Sequence, residues 1–151
     1  RLPGIHLVFA GPDDGLLQSL KDTAVAHSLA DRVHFTGYVA GREKVALLRG
    51  AQLLAIPSRR EAMSIVVLEA GKCGVPVLFS YEALALEGAG IVVSPSAEDL
   101  ARGLLDVMGQ AGKTRQTAER LSAIVHERYL WSIQSGRYLG LFSRLSGAGA
   151  A

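Results

Sequence analysis

Two carboxylates with seven residues between them, Glu61 and Glu69, mark the informative stretch of this sequence, Pro57-Ser58-Arg59-Arg60-Glu61-Ala62-Met63-Ser64-Ile65-Val66-Val67-Leu68-Glu69-Ala70-Gly71-Lys72-Cys73-Gly74-Val75-Pro76-Val77. The pattern places Glu61 in a loop leaving a strand and Glu69 inside an apolar helix that starts near Ser64. At about 1.5 Å of rise per residue, Glu69 lies about 7.5 Å along the axis from that start. The open N–H groups of a helix start attract a phosphate, and a carboxylate farther along accepts hydrogen bonds from sugar hydroxyls. Both carboxylates can then face one crevice, an arrangement suited to a nucleotide sugar. Plainer readings stand beside this one. Glu69 can pair with Lys72 three residues on, worth a few tenths of a kcal/mol. Glu61 can be an ordinary acid near a positive helix end, and Arg59-Arg60 a solvated pair.

Holding the two glutamates in place requires strands on either side of them. Ile5 to Ala10 is a short apolar run closed by Gly11-Pro12, as expected of a parallel strand covered on both faces. Asp13 or Asp14 can cap a following helix in which Leu16, Leu17, Leu20, Ala24 and Ala26-His27 roughly keep a 3.6 period. Arg32 to Phe35 reads as a strand, Gly37 as a turn, about Arg42 to Arg49 as a helix, and Leu53 to Ile56 as a strand ended by Pro57. The helix from Ser64 to Cys73, capped by Gly74, leads into the strand Val75 to Phe79, with Pro76 confined to its beginning. A short strand over Ile91 to Val93 precedes a helix capped by Ser96 and running through Met108, with Glu98 and Asp99 near its positive end. Two more helices are expected between Lys113 and Leu145.

This alternation with short joints predicts an α/β fold, a Rossmann-like parallel sheet with helices on both faces. One domain over residues 5–145 is expected, followed by a disordered tail over 146–151. Folds of this kind bind ligands beyond the carboxyl ends of their strands, which directs attention to the loops at Gly11 to Gly15, Gly37 to Gly41 and Pro57 to Ser64.

Composition narrows the chemistry. Of 151 residues, 49% are hydrophobic and 20% charged, and the net charge of +2 excludes both a disordered polyelectrolyte and a nucleic-acid-binding stripe. The lone Cys73 and the scattered His6, His27, His34 and His126 make neither a disulfide framework nor a structural zinc pattern. Cys73 reads as packing, and His6 and His34 fall within apolar strand patterns. No Gly-x-Ser-x-Gly elbow supports a hydrolase. Gly71-Lys72-Cys73-Gly74 lacks the spacing of a phosphate loop and sits at a helix end. The Asp13-Asp14 pair lacks the third aspartate of a phospho-receiver pocket. No spanning run and no leader are visible, so a cytoplasmic location is expected, with room for peripheral association at the inner face of a membrane. The opening on Arg1, before a segment ready to become a strand, leads us to expect a piece of a longer protein.

The Glu61 to Glu69 arrangement resembles the Glu-x7-Glu signature of retaining glycosyltransferases of family 4, the group 1 transferases of the GT-B fold. The resemblance takes in Leu7-Val8-Phe9-Ala10-Gly11, Leu29-Ala30-Asp31-Arg32-Val33-His34-Phe35-Thr36-Gly37-Tyr38-Val39, Pro57-Ser58 through Glu69, and Cys73-Gly74-Val75-Pro76-Val77, covering about residues 5 to 142 in the order of that family's C-terminal domain. It implies that Glu69 holds the nucleotide ribose and that Glu61 is the catalytic carboxylate at the transferred sugar. It further implies that backbone amides of Ala62, Met63, Ser64 and Ile65 meet the pyrophosphate, while Tyr38 and Val39 edge the nucleobase. Neither a metal nor a cofactor is expected beyond the nucleotide diphosphate sugar as substrate. The implied partners are that donor, a glycan or lipid-linked acceptor of the kind used in polysaccharide biosynthesis, and an N-terminal domain absent from this chain, without which the chain should be inactive. The sequence also departs from the family. Glu61-Ala62-Met63-Ser64 replaces Glu-Gly-Phe-Gly, and Tyr81-Glu82-Ala83-Leu84 stands where a glycine pair and a glutamate usually follow the Val-Pro-Val strand. These departures suggest an alternative, a noncatalytic relative serving as a binding or interaction module.

Overall fold

The computed structural model describes residues 4–60, 64–80 and 88–147. In chain order the elements are β1 (Leu7–Ala10), α1 (Leu17–Ala26), a 3-10 turn (Ala30–Arg32), β2 (Val33–Gly37), α2 (Gly41–Gly50), β3 (Leu54–Ile56) and α3 (Ile65–Cys73). They continue as β4 (Val77–Phe79), β5 (Ile91–Val92), α4 (Ala97–Gly109), α5 (Ala111–Ile124), a π-helical turn (Val125–Tyr129) and α6 (Trp131–Leu145). Every strand pairing among the described residues is parallel. The chain divides into two compact units, Arg1–Lys44 and Val45–Ala151, with the boundary inside α2.

In the first unit β1 pairs with β2, Leu7 opposite Val33 and Phe9 opposite Phe35, whose rings stack with centroids 5.2 Å apart. The expected strand at Arg32 starts one residue later, because Ala30–Arg32 wind into the 3-10 turn. β1 also departs from the expectation of a strand covered on both faces. Leu7, Val8 and Phe9 are exposed, and Ala24 is the buried hydrophobic residue of this unit among those described. Two strands and short helical segments enclose too little volume to bury both faces of a sheet. His6 and His34 follow the same pattern. They are exposed and lie side by side across the strand pair, with Nδ1 of His6 2.9 Å from Nε2 of His34.

The N-cap position of α1 falls on Leu16, which makes no side-chain cap bond, and Asp13 reaches the helix start from three residues earlier. Its Oδ1 accepts the N–H of Gly15 at 2.8 Å and that of Leu17 at 3.1 Å. These amide bonds, Leu17 first and then Gly15, hold the carboxyl below its ordinary value. A depressed carboxylate pKa stabilises the fold above the ordinary value and loses that contribution as pH falls through the lowered one. A carbon-detected titration of Asp13 is expected to give a midpoint below 3.8. A midpoint at or above that value would show that the two amides do not bond the carboxylate.

The second unit carries a sheet in the order β3-β4-β5. Its central strand is buried at all three positions, as a parallel strand covered on both faces should be. The faces can be told apart. Val77 and Phe79 join Val67 and Ala70 of α3 and Leu121 and Ile124 of α5 in one cluster. Leu78, between them, points toward α4, where a Cβ on Gly103 would stand 3.0 Å from its Cδ1 and 2.6 Å from Cγ1 of Val93. Helices thus cover both sides of this sheet. Gly71 permits a similar approach of α3 to α5, since a Cβ there would lie 2.9 Å from Leu121 Cγ.

Pro76 stands just before β4, as its missing N–H requires, and its carbonyl still accepts the Leu54 N–H at 3.0 Å. Ser96 caps α4 by accepting the Asp99 N–H at 3.0 Å. The two helices expected between Lys113 and Leu145 are α5 and α6, separated by the π-helical turn that the sequence pattern did not predict. The tail expected to be disordered lies, from residue 148 on, outside the described residues.

Candidate functional site

The site is built on α3, whose two ends are fixed by different means. At its carboxyl end Gly74 adopts φ +73°, the left-handed conformation that a glycine reaches without strain. Its N–H donates to Gly71 O at 3.1 Å and the Val75 N–H to Ala70 O at 2.9 Å, turning the chain back into β4. At the amino end Ser64 is extended (φ −89°, ψ 113°) and makes no side-chain cap bond. The helix begins one residue later than expected, at Ile65. In its first turn the Val67 N–H donates to Ser64 O at 3.1 Å, while the Ile65 and Val66 amides have no acceptor a turn back in the helix, so this positive end favours an anion.

The core side of α3 is Val67, Ala70 and Gly71. At 100° per residue, Ile65, Glu69 and Lys72 fall on the opposite side. Ile65 and Lys72 are exposed and Glu69 is half-buried. Glu69 therefore stands about 6 Å along the axis from Ile65, on the face turned away from the core. Because β3 and β4 are parallel, the chain must leave β3 at its carboxyl end and return along α3 to the amino end of β4. The amino terminus of α3 consequently lies on the carboxyl side of the sheet, where α/β folds bind ligands.

Of the residues singled out in the sequence, Ser64, Ile65 and Glu69 are thus brought together on the opening turns of one helix. Glu61, Ala62 and Met63 lie outside the described residues. Tyr38 and Val39 belong to the first unit, in the turn that Gly37 opens between β2 and α2. Tyr38 is 77% exposed there and Val39 half-buried. Among the described residues no group of three His, Cys, Asp or Glu side chains could hold a metal ion. No described helix is long and apolar enough to cross a membrane.

A cavity of about 840 Å³ in the second unit lies elsewhere, lined by Gln52, Gly74, Pro76, Met108 and Arg115 among others. Gln52 and Pro76 precede β3 and β4, so it opens at the amino ends of these strands. Several of its polar groups are paired: Thr114 Oγ1 donates to Val107 O at 3.0 Å, Arg115 Nε to Glu119 Oε1 at 2.8 Å, and His126 Nδ1 lies 2.8 Å from Ser122 O. It is a seam between α4 and α5 and holds none of the candidate residues.

Sequence reasoning missed Ser80, the residue after β4, which is buried and bonded to the chain leaving β3. A serine closing an apolar strand carries no spacing signal that would have marked it.

The comparisons with known proteins agree with this architecture. The chain is 31% identical over 156 residues to a D-inositol 3-phosphate glycosyltransferase of Mycobacteroides abscessus, a match covering 95% of this chain and 34% of that protein. It therefore spans about a third of the length of that curated relative. Among solved structures, the sucrose-phosphate synthase of Thermosynechococcus elongatus superimposes with a TM-score of 0.82 over 98% of this chain and 40% of that one, at 22% identity. HepE of Anabaena, solved with UDP-glucose, gives a TM-score of 0.79 over 94% of this chain and 42% of that one, also at 22% identity. These likenesses show the fold, a Rossmann-like half of a GT-B structure. The family model described as glycosyl transferases group 1 matches residues 1–123, and the chain belongs to that family.

Proposed function

We propose that this chain is the donor-binding, carboxyl-terminal half of a retaining glycosyltransferase. The complete protein moves a sugar from a nucleoside diphosphate to a carbohydrate or lipid-linked acceptor. The observation that carries this reading is α3, whose amino end and half-buried Glu69 stand on the carboxyl side of a parallel sheet, in a chain of the group 1 family. Amides of the segment from Ala62 to Ile65 take the diphosphate, whose charge the helix end meets without a metal. The ribose hydroxyls donate to Glu69, Glu61 stands at the transferred sugar, and Tyr38 and Val39 edge the base. The HepE complex with UDP-glucose is consistent with a fold of this shape taking such a donor. A cytoplasmic location, at the inner membrane face where the acceptor is lipid-linked, goes with this reading.

The noncatalytic alternative rests on the missing glycines of Glu61-Ala62-Met63-Ser64. At Ser64 the backbone angle itself does not call for glycine, since a φ of −89° is open to any residue.

A saturation-transfer NMR screen of this chain against UDP, GDP, ADP and their sugars tests the reading. One base is expected to bind in the high micromolar to millimolar range, about −4 to −6 kcal/mol, since the opposite wall of the cleft is absent. Transfer by the chain alone should be undetectable, because catalysis needs groups preorganised from both sides. Binding of no nucleotide by either the chain or the complete protein would overturn the donor-site reading, and transfer by the chain alone would overturn the half-enzyme reading.

A further inference from the structure

The pairing of β3 with β4 is extended past the strands by Ser80, which meets the chain at Ile56 and Ser58, just ahead of Glu61 in the sequence. The Ser80 N–H donates to Ile56 O at 3.2 Å and so extends the ladder one step beyond β4. Pro57 follows Ile56 and has no N–H to offer. Instead the Ser80 hydroxyl reaches across and donates to Ser58 O at 2.7 Å, with Ile56 O at 3.5 Å from the same Oγ. A hydroxyl carries one proton, and the shorter contact claims it for Ser58. Ser80 is only 7% exposed and is the buried polar residue of the described chain. A donor held in such a place competes poorly for water, so its bond to Ser58 is the way it is satisfied.

We propose that Ser80 is a positioning residue for the site: its hydroxyl fixes the carbonyl of Ser58, and with it the departure of the loop that presents Glu61 and the amino end of α3. Glu61 stands three residues beyond Ser58 and Ser64 six beyond it. Small displacements of a reacting group are costly, so the direction in which the chain leaves Ser58 matters to the site. The functional side of the inference rests on the donor-site reading above. The tether itself does not.

The test uses the complete protein with Ser80→Ala, Ser80→Cys and Ser80→Thr. Ser80→Cys keeps nearly the same volume with a weak donor, and Ser80→Thr keeps the hydroxyl. Peptide-resolved hydrogen exchange is expected to quicken across residues 58–64 in the Ala and Cys variants and to stay near wild type in Ser80→Thr. In the same samples kcat should fall about tenfold or more in the Ala and Cys variants. Affinity for the free nucleoside diphosphate, which Glu69 also holds, should fall less than kcat does, and Ser80→Thr should restore kcat. Unchanged exchange in both the Ala and Cys variants would overturn the tether, whether or not the protein transfers sugar. Quickened exchange with wild-type kcat, or with equal losses of kcat and nucleotide affinity, would overturn the positioning role and leave the donor site standing. If the wild type neither binds a nucleotide nor transfers, the donor-site reading and the positioning role built on it both fall, and exchange alone decides the tether.

Discussion

Glu69→Ala in the complete protein is expected to weaken nucleoside diphosphate binding about 10- to 150-fold while leaving the domain folded. A carboxylate accepting hydroxyls from a ribose makes charge-assisted hydrogen bonds, and losing them costs roughly 1.5 to 3 kcal/mol. The fold should tolerate the change because Glu69 is on the side of α3 opposite Val67, Ala70 and Gly71, so its removal opens no cavity in the core. Alanine is also a good helix former. Calorimetry with the nucleoside diphosphate, paired with a thermal melt, separates the two possible roles. Unchanged affinity would remove Glu69 from the site. A large loss of melting temperature together with the lost affinity would make it a structural residue of α3.

What could be read of this arrangement in the sequence is what local spacing encodes. Glu69 fell inside a helix because the apolar residues around it have no strand alternation and Gly74 gives that helix a stop. Ser96 announced α4 because a cap is a contact three residues long, and Asp99 supplies the amide it needs. Pro76 marked the start of β4 because a residue without an N–H has few places in a sheet. The features that escaped depend on contacts remote in the chain or on volume. Ser80 meets Ser58 across 22 positions, and nothing in either neighbourhood shows the pairing. The exposure of Leu7, Val8 and Phe9 depends on how much structure surrounds β1, whereas the pattern of β1 itself matches that of a buried strand. The π-helical turn at Val125–Tyr129 is made of residues that an ordinary helix would also accept. For the site, the spacing located Ile65 and Glu69 on α3 with Ser64 just before it, while the roles of Glu61, Ala62 and Met63 stand on the family resemblance.

Volume is also what decides the second large effect, at a residue that spacing would never single out. Gly90→Ala is expected to destabilise the second unit by about 3 kcal/mol or more, the upper end of what overpacking a close-packed core costs. A Cβ built on Gly90 would lie 1.8 Å from Cε2 and 2.5 Å from Cδ2 of Phe79. The ring has nowhere to go, since Phe79 is fully buried in the central strand and packs in the cluster with α3 and α5. The strain must then pass into β4, whose next residue is Ser80, so the loop root at Ser58 should loosen along with the core. Gly136→Ala supplies the contrast. That glycine lies inside α6 with nothing within 4 Å of a built Cβ, and alanine there should stabilise by about 0.5 to 1 kcal/mol through backbone entropy and helix propensity. Denaturant unfolding of both variants beside the wild type checks the pair. If Gly90→Ala matched the wild type, Phe79 would have to be free to move, and β4 would lose its standing as the rigid strand on which the site is built.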